Sequence, residues 1–187
     1  DENRVHVYYQ PQMCLRSGRI SGFEALARLE QPQSGTMAPD QFISVAEETG
    51  QIVALSERIL LRAIDQWKEY LSGRHGDVVP QLSVNLSSVQ FRKQDVYLFV
   101  ASTLDRTGMP ACQLEVELTE TALIQETKKA AGILSALERL GVRIAIDDFG
   151  TGYSSLVHLK QLPLDKLKID RSFVTNIEHS RKDAYTT

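Results

Sequence analysis

Four short segments of this chain carry apolar side chains on one face and polar ones on the other, with segments of helix length between them. In residues 81–86 (QLSVNL), Leu82, Val84 and Leu86 share one face while Ser83 and Asn85 share the other. In 114–119 (LEVELT), Leu114, Val116 and Leu118 oppose Glu115, Glu117 and Thr119. In 143–147 (RIAID), Ile144 and Ile146 oppose Ala145 and Asp147, and in 166–170 (KLKID), Leu167 and Ile169 oppose Lys166, Lys168 and Asp170. Strands joined through helices run parallel, and the helices cover the apolar face of the sheet they connect. The polar faces must then point together.

The intervening segments support that arrangement. Ile59, Leu60, Ala63, Ile64, Trp67 and Leu71 recur at helical spacing up to Gly73, and the spacing makes Trp67 a packing residue. A shorter helix begins at Pro39, carries Phe42, Ile43, Val45 and Ala46, and stops at Gly50. The pair Glu47 and Glu48 reads as a charged helix face. Val96, Phe99, Val100 and Leu104 make a helix stopped by Gly108 and Pro110, and Ala130, Ile133, Leu134, Leu137 and Leu140 make one stopped by Gly141. At the start, 5–10 (VHVYYQ) and 22–29 (GFEALARL) read as a hairpin in which Glu24 and Arg28 share a face.

The fold class expected is therefore α/β. If its sheet curls into a barrel, Glu24, Asn85, Glu117, Asp147 and Lys168 converge on the axis near the carboxyl ends of the strands, where barrel enzymes keep their active sites. Five ionisable or amide side chains in such an interior are unfavourable without a ligand. The alternative is an antiparallel sheet with one face in water, where the alternation costs nothing.

Residues 143–156 (RIAIDDFGTGYSSL) concentrate the chemistry. A strand ends in Asp147 and Asp148 and enters the turn of Gly150 and Gly152. Adjacent carboxylates repel and stay ionised only when a cation or strong donors compensate them. Carboxylate and amide oxygens without His or Cys select Mg²⁺ or Mn²⁺ over zinc. A two-metal pair activates water and stabilises the leaving oxygen of a phosphodiester, and an inward lysine can orient that water. Phosphate ester hydrolysis is the reaction class these residues suit.

Composition narrows the partners. The 187 residues, 42% hydrophobic and 24% charged, suffice for one sizeable core. A net charge of -3 and a pI near 5.8 argue against a grip on long nucleic acid. Cys14 and Cys112 form no CxxC pair, which fits a reducing, cytoplasmic setting. No signal peptide or bilayer-spanning run is legible, so no membrane contact is expected from this segment.

The motifs Glu24-Ala25-Leu26, Asn85-Leu86-Ser87, Glu117-Leu118-Thr119-Glu120, Asp147-Asp148-Phe149-Gly150-Thr151-Gly152 and Lys168-Ile169-Asp170 occur in this order. Together they resemble the EAL-domain cyclic di-GMP phosphodiesterases of bacterial second-messenger signalling, from Tyr9-Gln10-Pro11 to Arg171-Ser172-Phe173. The resemblance implies a TIM-like (β/α) barrel with an antiparallel first strand, opening cyclic di-GMP to linear pGpG with two Mg²⁺ or Mn²⁺ ions. It implies Glu24, Asn85, Glu117 and Asp147 as ligands of one ion, Asp147 bridging, and Asp148 serving the second. Lys168 would hold the attacking water, so that Lys168, Asp147 and Glu24 form the catalytic set. Gln10 and Arg28 would contact guanine and phosphate. Glu120 would anchor the loop of residues 149–155, which the family uses in metal binding and in homodimerisation. Ca²⁺, larger and more loosely coordinated, is expected to occupy the site without supporting efficient chemistry. His158 falls at a position the family leaves variable and is expected to face solvent.

The barrel is expected to be incomplete. Six strands can be read, whereas a barrel of this type has about eight strands and roughly 250 residues. The EGVE-like and QGY-like motifs that the family carries on its last two strands have no counterpart here, and 178–187 reads as the start of a helix. The expectation is a single EAL-type domain over 1–187, truncated at its C-terminus and belonging to a longer signalling protein, itself soluble or membrane-bound. A non-catalytic cyclic di-GMP receptor acting through a protein partner is the competing reading. The intact set Glu24, Asn85, Glu117, Asp147, Asp148 and Lys168 favours the enzyme.

Overall fold

The computed structural model describes residues 4–31, 35–72, 79–120, 122, 127–151 and 162–175. A hairpin opens the fold: β1 (Val5–Cys14) pairs antiparallel with β2 (Arg19–Gln31). A short β3 (Gly35–Met37) folds back onto β2. Then α1 (Pro39–Glu48) and α2 (Ile52–Ser72) cross over to β4 (Gln81–Asn85), which lies parallel to β2. α3 (Ser88–Lys93) and α4 (Val96–Thr107) lead to β5 (Leu114–Thr119), and α5 (Thr127–Leu140) leads to β6 (Arg143–Phe149). β7 (Lys166–Ile169) and a short α6 (Arg171–Val174) follow. The sheet order is β1-β2-β4-β5-β6-β7, with β3 alongside β2, and every neighbouring pair from β2–β4 onward is parallel.

Local chemistry sets the helix ends. Ser87 caps α3 by accepting from the Val89 amide, while the Gln90 side chain accepts from the Ser87 amide, a reciprocal capping box. Asp95 caps α4 through the Leu98 amide at 3.0 Å, and Gly108 ends it at φ 67°, a left-handed turn that an L side chain resists. Pro39 opens α1, where its missing N–H costs nothing.

The apolar strand faces do what their alternation predicts. Leu82, Val84, Leu114, Val116, Leu118, Ile144 and Ile146 are buried in one cluster with Ile64 and Trp67 of α2, Val100 of α4 and Leu134 and Leu137 of α5. Truncating any one of the fully buried leucines to alanine costs about 2–5 kcal/mol.

The opposite face is concave. In a flat sheet β1 and β7, five strand spacings apart, would lie about 24 Å from one another. Instead Lys166 Nζ of β7 donates to Gln12 Oε1 of β1 at 3.1 Å. The sheet is thus curled into an unclosed barrel, as expected of the fold class, and its polar faces share one axis. The antiparallel, half-solvated alternative does not hold, because helical crossovers make the sheet parallel from β2 onward.

Three details differ from the expectation or lie beyond it. β3 adds a seventh strand that the sequence did not signal, since three residues carry too little periodicity. Glu47 is more than a solvated helix face: its carboxylate accepts a hydrogen bond from Ser87 Oγ, tying α1 to the cap of α3. The helix stop at Gly73, His158, residues 152–155 of the expected anchoring loop and residues 178–187 lie outside the described residues. Among the described residues, no helix is long and apolar enough to cross a membrane.

Candidate metal centre

Register determines which side chains meet. Glu24 pairs with Ser83, Asn85 with Glu117, and Thr119 with Asp147, so Glu24, Asn85, Glu117 and Asp147 share the concave face. Glu24, Glu117 and Asp147 each bring a carboxylate oxygen within 4.8 Å of the other two. Lys168 of β7 reaches into the middle of them. Its Nζ donates to Glu24 Oε2 at 3.0 Å, to Asp147 Oδ2 at 2.8 Å and to Glu117 Oε2. Asn85 Nδ2 donates to Glu24 Oε1 at 2.9 Å; turning that amide over would present its oxygen to the same space.

Three carboxylates share one ammonium, and burial sharpens the imbalance. Glu117 is fully buried, and loss of solvent pushes its carboxyl up to about 7, against the pull of the Lys168 ammonium. Burial by itself would lower Lys168, but the hydrogen bonds to Asp147 and Glu117 outweigh it and hold the ammonium above its ordinary value. The cluster carries excess negative charge in a low-dielectric place, with oxygen donors and, among the described residues, no His or Cys. Those are the terms on which a hard divalent cation binds.

The turn after β6 is shaped for close approach. The β6–β7 register shifts between Ile146 and Phe149, and Asp148 sits at φ 53°, a left-handed conformation that aspartate tolerates better than most residues. The Asp148 amide donates back to Asp147 Oδ1 at 2.9 Å, and the Asp148 carbonyl accepts from Thr151 Oγ1 at 2.9 Å. Gly150, at φ 100°, has its backbone against the Phe173 ring, where a Cβ would stand 2.6 Å from the ring carbons. Glu120, 1% exposed, accepts from the Gly150 amide through Oε2 at 2.8 Å.

A sequence model described as EAL domain matches residues 1–186. The chain belongs to the EAL-domain family. MucR of Pseudomonas aeruginosa, named as a bifunctional diguanylate cyclase/cyclic di-GMP phosphodiesterase, is 40% identical over 184 residues, which are 98% of this chain and 27% of that protein. NbdA of the same organism, named as a cyclic di-GMP phosphodiesterase, is 37% identical over 182 residues, 97% of this chain and 23% of that protein. A solved MucR phosphodiesterase in complex with c-di-GMP superposes on this EAL domain with a TM-score of 0.91 at 39% identity, covering 98% of this chain and 74% of that one. The chain thus spans well under a third of the length of the curated relatives it matches.

Not every residue singled out in the sequence joins the cluster of this EAL domain. Asp148 is exposed beside it, outside the three-carboxylate group. Gln10 is exposed and pairs with Glu24 across the hairpin. Arg28 lies four residues further along β2, with Nη1 donating to the Ala27 carbonyl at 2.8 Å and its guanidinium carbon 5.7 Å from the Tyr8 ring centre. Sequence reasoning also left a second polar layer without a role. Ser83 and Glu115, both fully buried, lie beneath Asn85 and Glu117 together with Lys166 and Gln12. The strand alternation put Ser83, Glu115 and Lys166 on the inward face, and that was the available signal.

Proposed function

We propose that this EAL domain is most of the catalytic domain of a longer protein, one that hydrolyses cyclic di-GMP to linear pGpG with Mg²⁺ or Mn²⁺. The observation that carries the reading is the convergence of Glu24, Glu117 and Asp147 around Lys168 on the concave face. The named activities of MucR and NbdA, and the c-di-GMP bound to the related MucR structure, support the substrate.

Glu24, Glu117, Asp147 and the Asn85 amide oxygen would hold one ion, and Asp148, beside Asp147, would serve a second. Bound there, the ions lower the pKa of water and stabilise the leaving oxygen of the phosphodiester. The chain's own groups divide the remaining work. With a metal taking up its three carboxylates, Lys168 would offer its ammonium to the phosphate and to the attacking water. Arg28 offers a planar donor set to a phosphate, and Gln10 offers an amide to a guanine edge. Glu120 holds the Gly150 amide and with it the turn that carries Asp148. That turn, with the residues following it, would serve the homodimer contact.

The test is conversion of cyclic di-GMP to pGpG, separated chromatographically, with Mn²⁺ and with chelator, using the domain in its longer parent protein. Metal-dependent turnover that falls by orders of magnitude in Glu24→Ala is the expected result. Tight binding of cyclic di-GMP with no turnover under any divalent metal would overturn the enzymatic reading in favour of a receptor.

A further inference from the structure

Beneath the metal centre the second polar layer closes into a ring. Lys166 Nζ donates to Glu115 Oε1 at 2.6 Å and to Gln12 Oε1 at 3.1 Å; Ser83 Oγ donates to the same Glu115 oxygen at 2.7 Å; Gln12 Nε2 donates to Ser83 Oγ at 3.4 Å. Gln12 Nε2 also points upward to Glu117 Oε1, at 3.5 Å. Glu117 is fully buried, and its other oxygen is taken by Lys168. Four strands contribute to the ring, which spans the sheet from one edge to the other.

The chemistry of the donors gives the ring a direction. An ammonium has three donors and no acceptor, so the Gln12 amide must turn its oxygen toward Lys166. Its NH₂ is thereby aimed at Ser83 and Glu117. Reversing the amide would set donor against donor at Lys166 and acceptor against carboxylate at Glu117. Glu115 keeps Lys166 in place: it is fully buried, its Oε2 has no hydrogen-bond partner among the described residues, and its Oε1 is held by the Lys166 ammonium. Charge is also segregated between layers. Glu115 and Lys166 cancel, which leaves the excess negative charge in the upper layer of Glu24, Glu117 and Asp147.

We propose that Lys166 is a positioning residue, acting through the Gln12 amide to hold the Glu117 carboxylate in the orientation that the metal centre requires. This rests on the reading of Glu24, Glu117 and Asp147 as metal ligands. Outer partners of metal-binding side chains act in this way, fixing a ligand's orientation without touching the ion.

The sign of the effect separates positioning from plain electrostatics. A lysine that only adds positive charge near a cation site opposes metal binding, so removing it raises affinity. A lysine that orients a ligand supports binding, so removing it lowers affinity.

The experiment is Mn²⁺ binding to this chain, followed by isothermal titration calorimetry and by electron paramagnetic resonance of free Mn²⁺, with thermal melting of each metal-free protein recorded. Gln12→Met and Lys166→Met should each weaken Mn²⁺ binding by about 10- to 100-fold. The double variant should be no weaker than the weaker single, because both act along one path. Lys166→Arg should restore most of the affinity. Gln12 is only partly buried, so Gln12→Met keeps the test open if Lys166→Met does not fold. Unchanged or tighter Mn²⁺ binding in Gln12→Met or Lys166→Met, with Glu117→Gln still abolishing it, would overturn the positioning role alone. Equal Mn²⁺ binding by the wild type and Glu117→Gln would instead overturn the ligand assignment, and the positioning role with it.

Discussion

Lys168 Nζ stands 2.8 Å from Asp147 Oδ2, in the space that the three converging carboxylates leave at the centre of the site. An ammonium and a divalent cation compete for that space, and a lysine on a strand end can swing aside where a carboxylate set cannot be left uncompensated. Lys168→Met should therefore keep or tighten Mn²⁺ binding while lowering cyclic di-GMP turnover by about 10²–10³-fold. Titration calorimetry and a turnover assay on the same preparation check both halves. Parallel loss of metal and activity would make Lys168 a structural part of the cluster instead.

Glu117 supplies a pH dependence. Burial lifts its carboxyl from an ordinary 4.5 to about 7, so the folded chain without metal holds a proton that the unfolded chain has released between those values. The sign follows: this group's contribution to stability is complete below pH 4.5 and is lost as the pH rises to about 7. Metal binding must expel the same proton. Mn²⁺ affinity should rise with pH through about 7 and level off above it, with calorimetry in buffers of different ionisation enthalpy recording proton release at pH 6 and little at pH 8. A flat profile would contradict it.

The face of each strand, and hence the company of Glu24, Asn85, Glu117, Asp147 and Lys168, was legible because a period of two leaves little freedom once helices cover the apolar side. Leu82, Val84, Val116 and Ile144 in the core and Asn85 and Glu117 on the axis are the same fact seen from two sides. What escaped depends on register across several strands. Nothing in QPQM says that Gln12 meets Lys166, because that contact exists only once the sheet has curled by a particular amount. The bond from Ser87 to Glu47 escaped for a related reason: it joins two helices whose separation no local pattern encodes.

Glu120 is buried and bonded to the Gly150 amide, so its removal should act on the turn before it acts on the metal ligands. Glu120→Ala should cost about 1 kcal/mol in denaturant unfolding, through loss of the hydrogen bond that its buried carboxyl accepts from the Gly150 amide. Turnover should drop more than the affinity for the first Mn²⁺ equivalent. Equal loss of both would mean that Glu120 supports the whole cluster and not the turn.

Gly150 tests the same turn from the backbone. Alanine there must adopt φ 100° and place a Cβ 2.6 Å from the Phe173 ring. Gly150→Ala should lower stability by more than about 1 kcal/mol, and Phe173→Leu in the same chain should relieve the steric part. Relief that leaves no residual cost would show that the left-handed backbone is not required.

The central claim is that Glu24, Glu117 and Asp147 hold a divalent cation. The most direct measurement is anomalous diffraction from crystals of this domain grown with Mn²⁺. The account predicts a peak within about 2–2.5 Å of one oxygen from each of the three carboxylates, with Lys168 Nζ moved off their centre. Full Mn²⁺ occupancy elsewhere, with Lys168 still bonded to all three carboxylates, would contradict it.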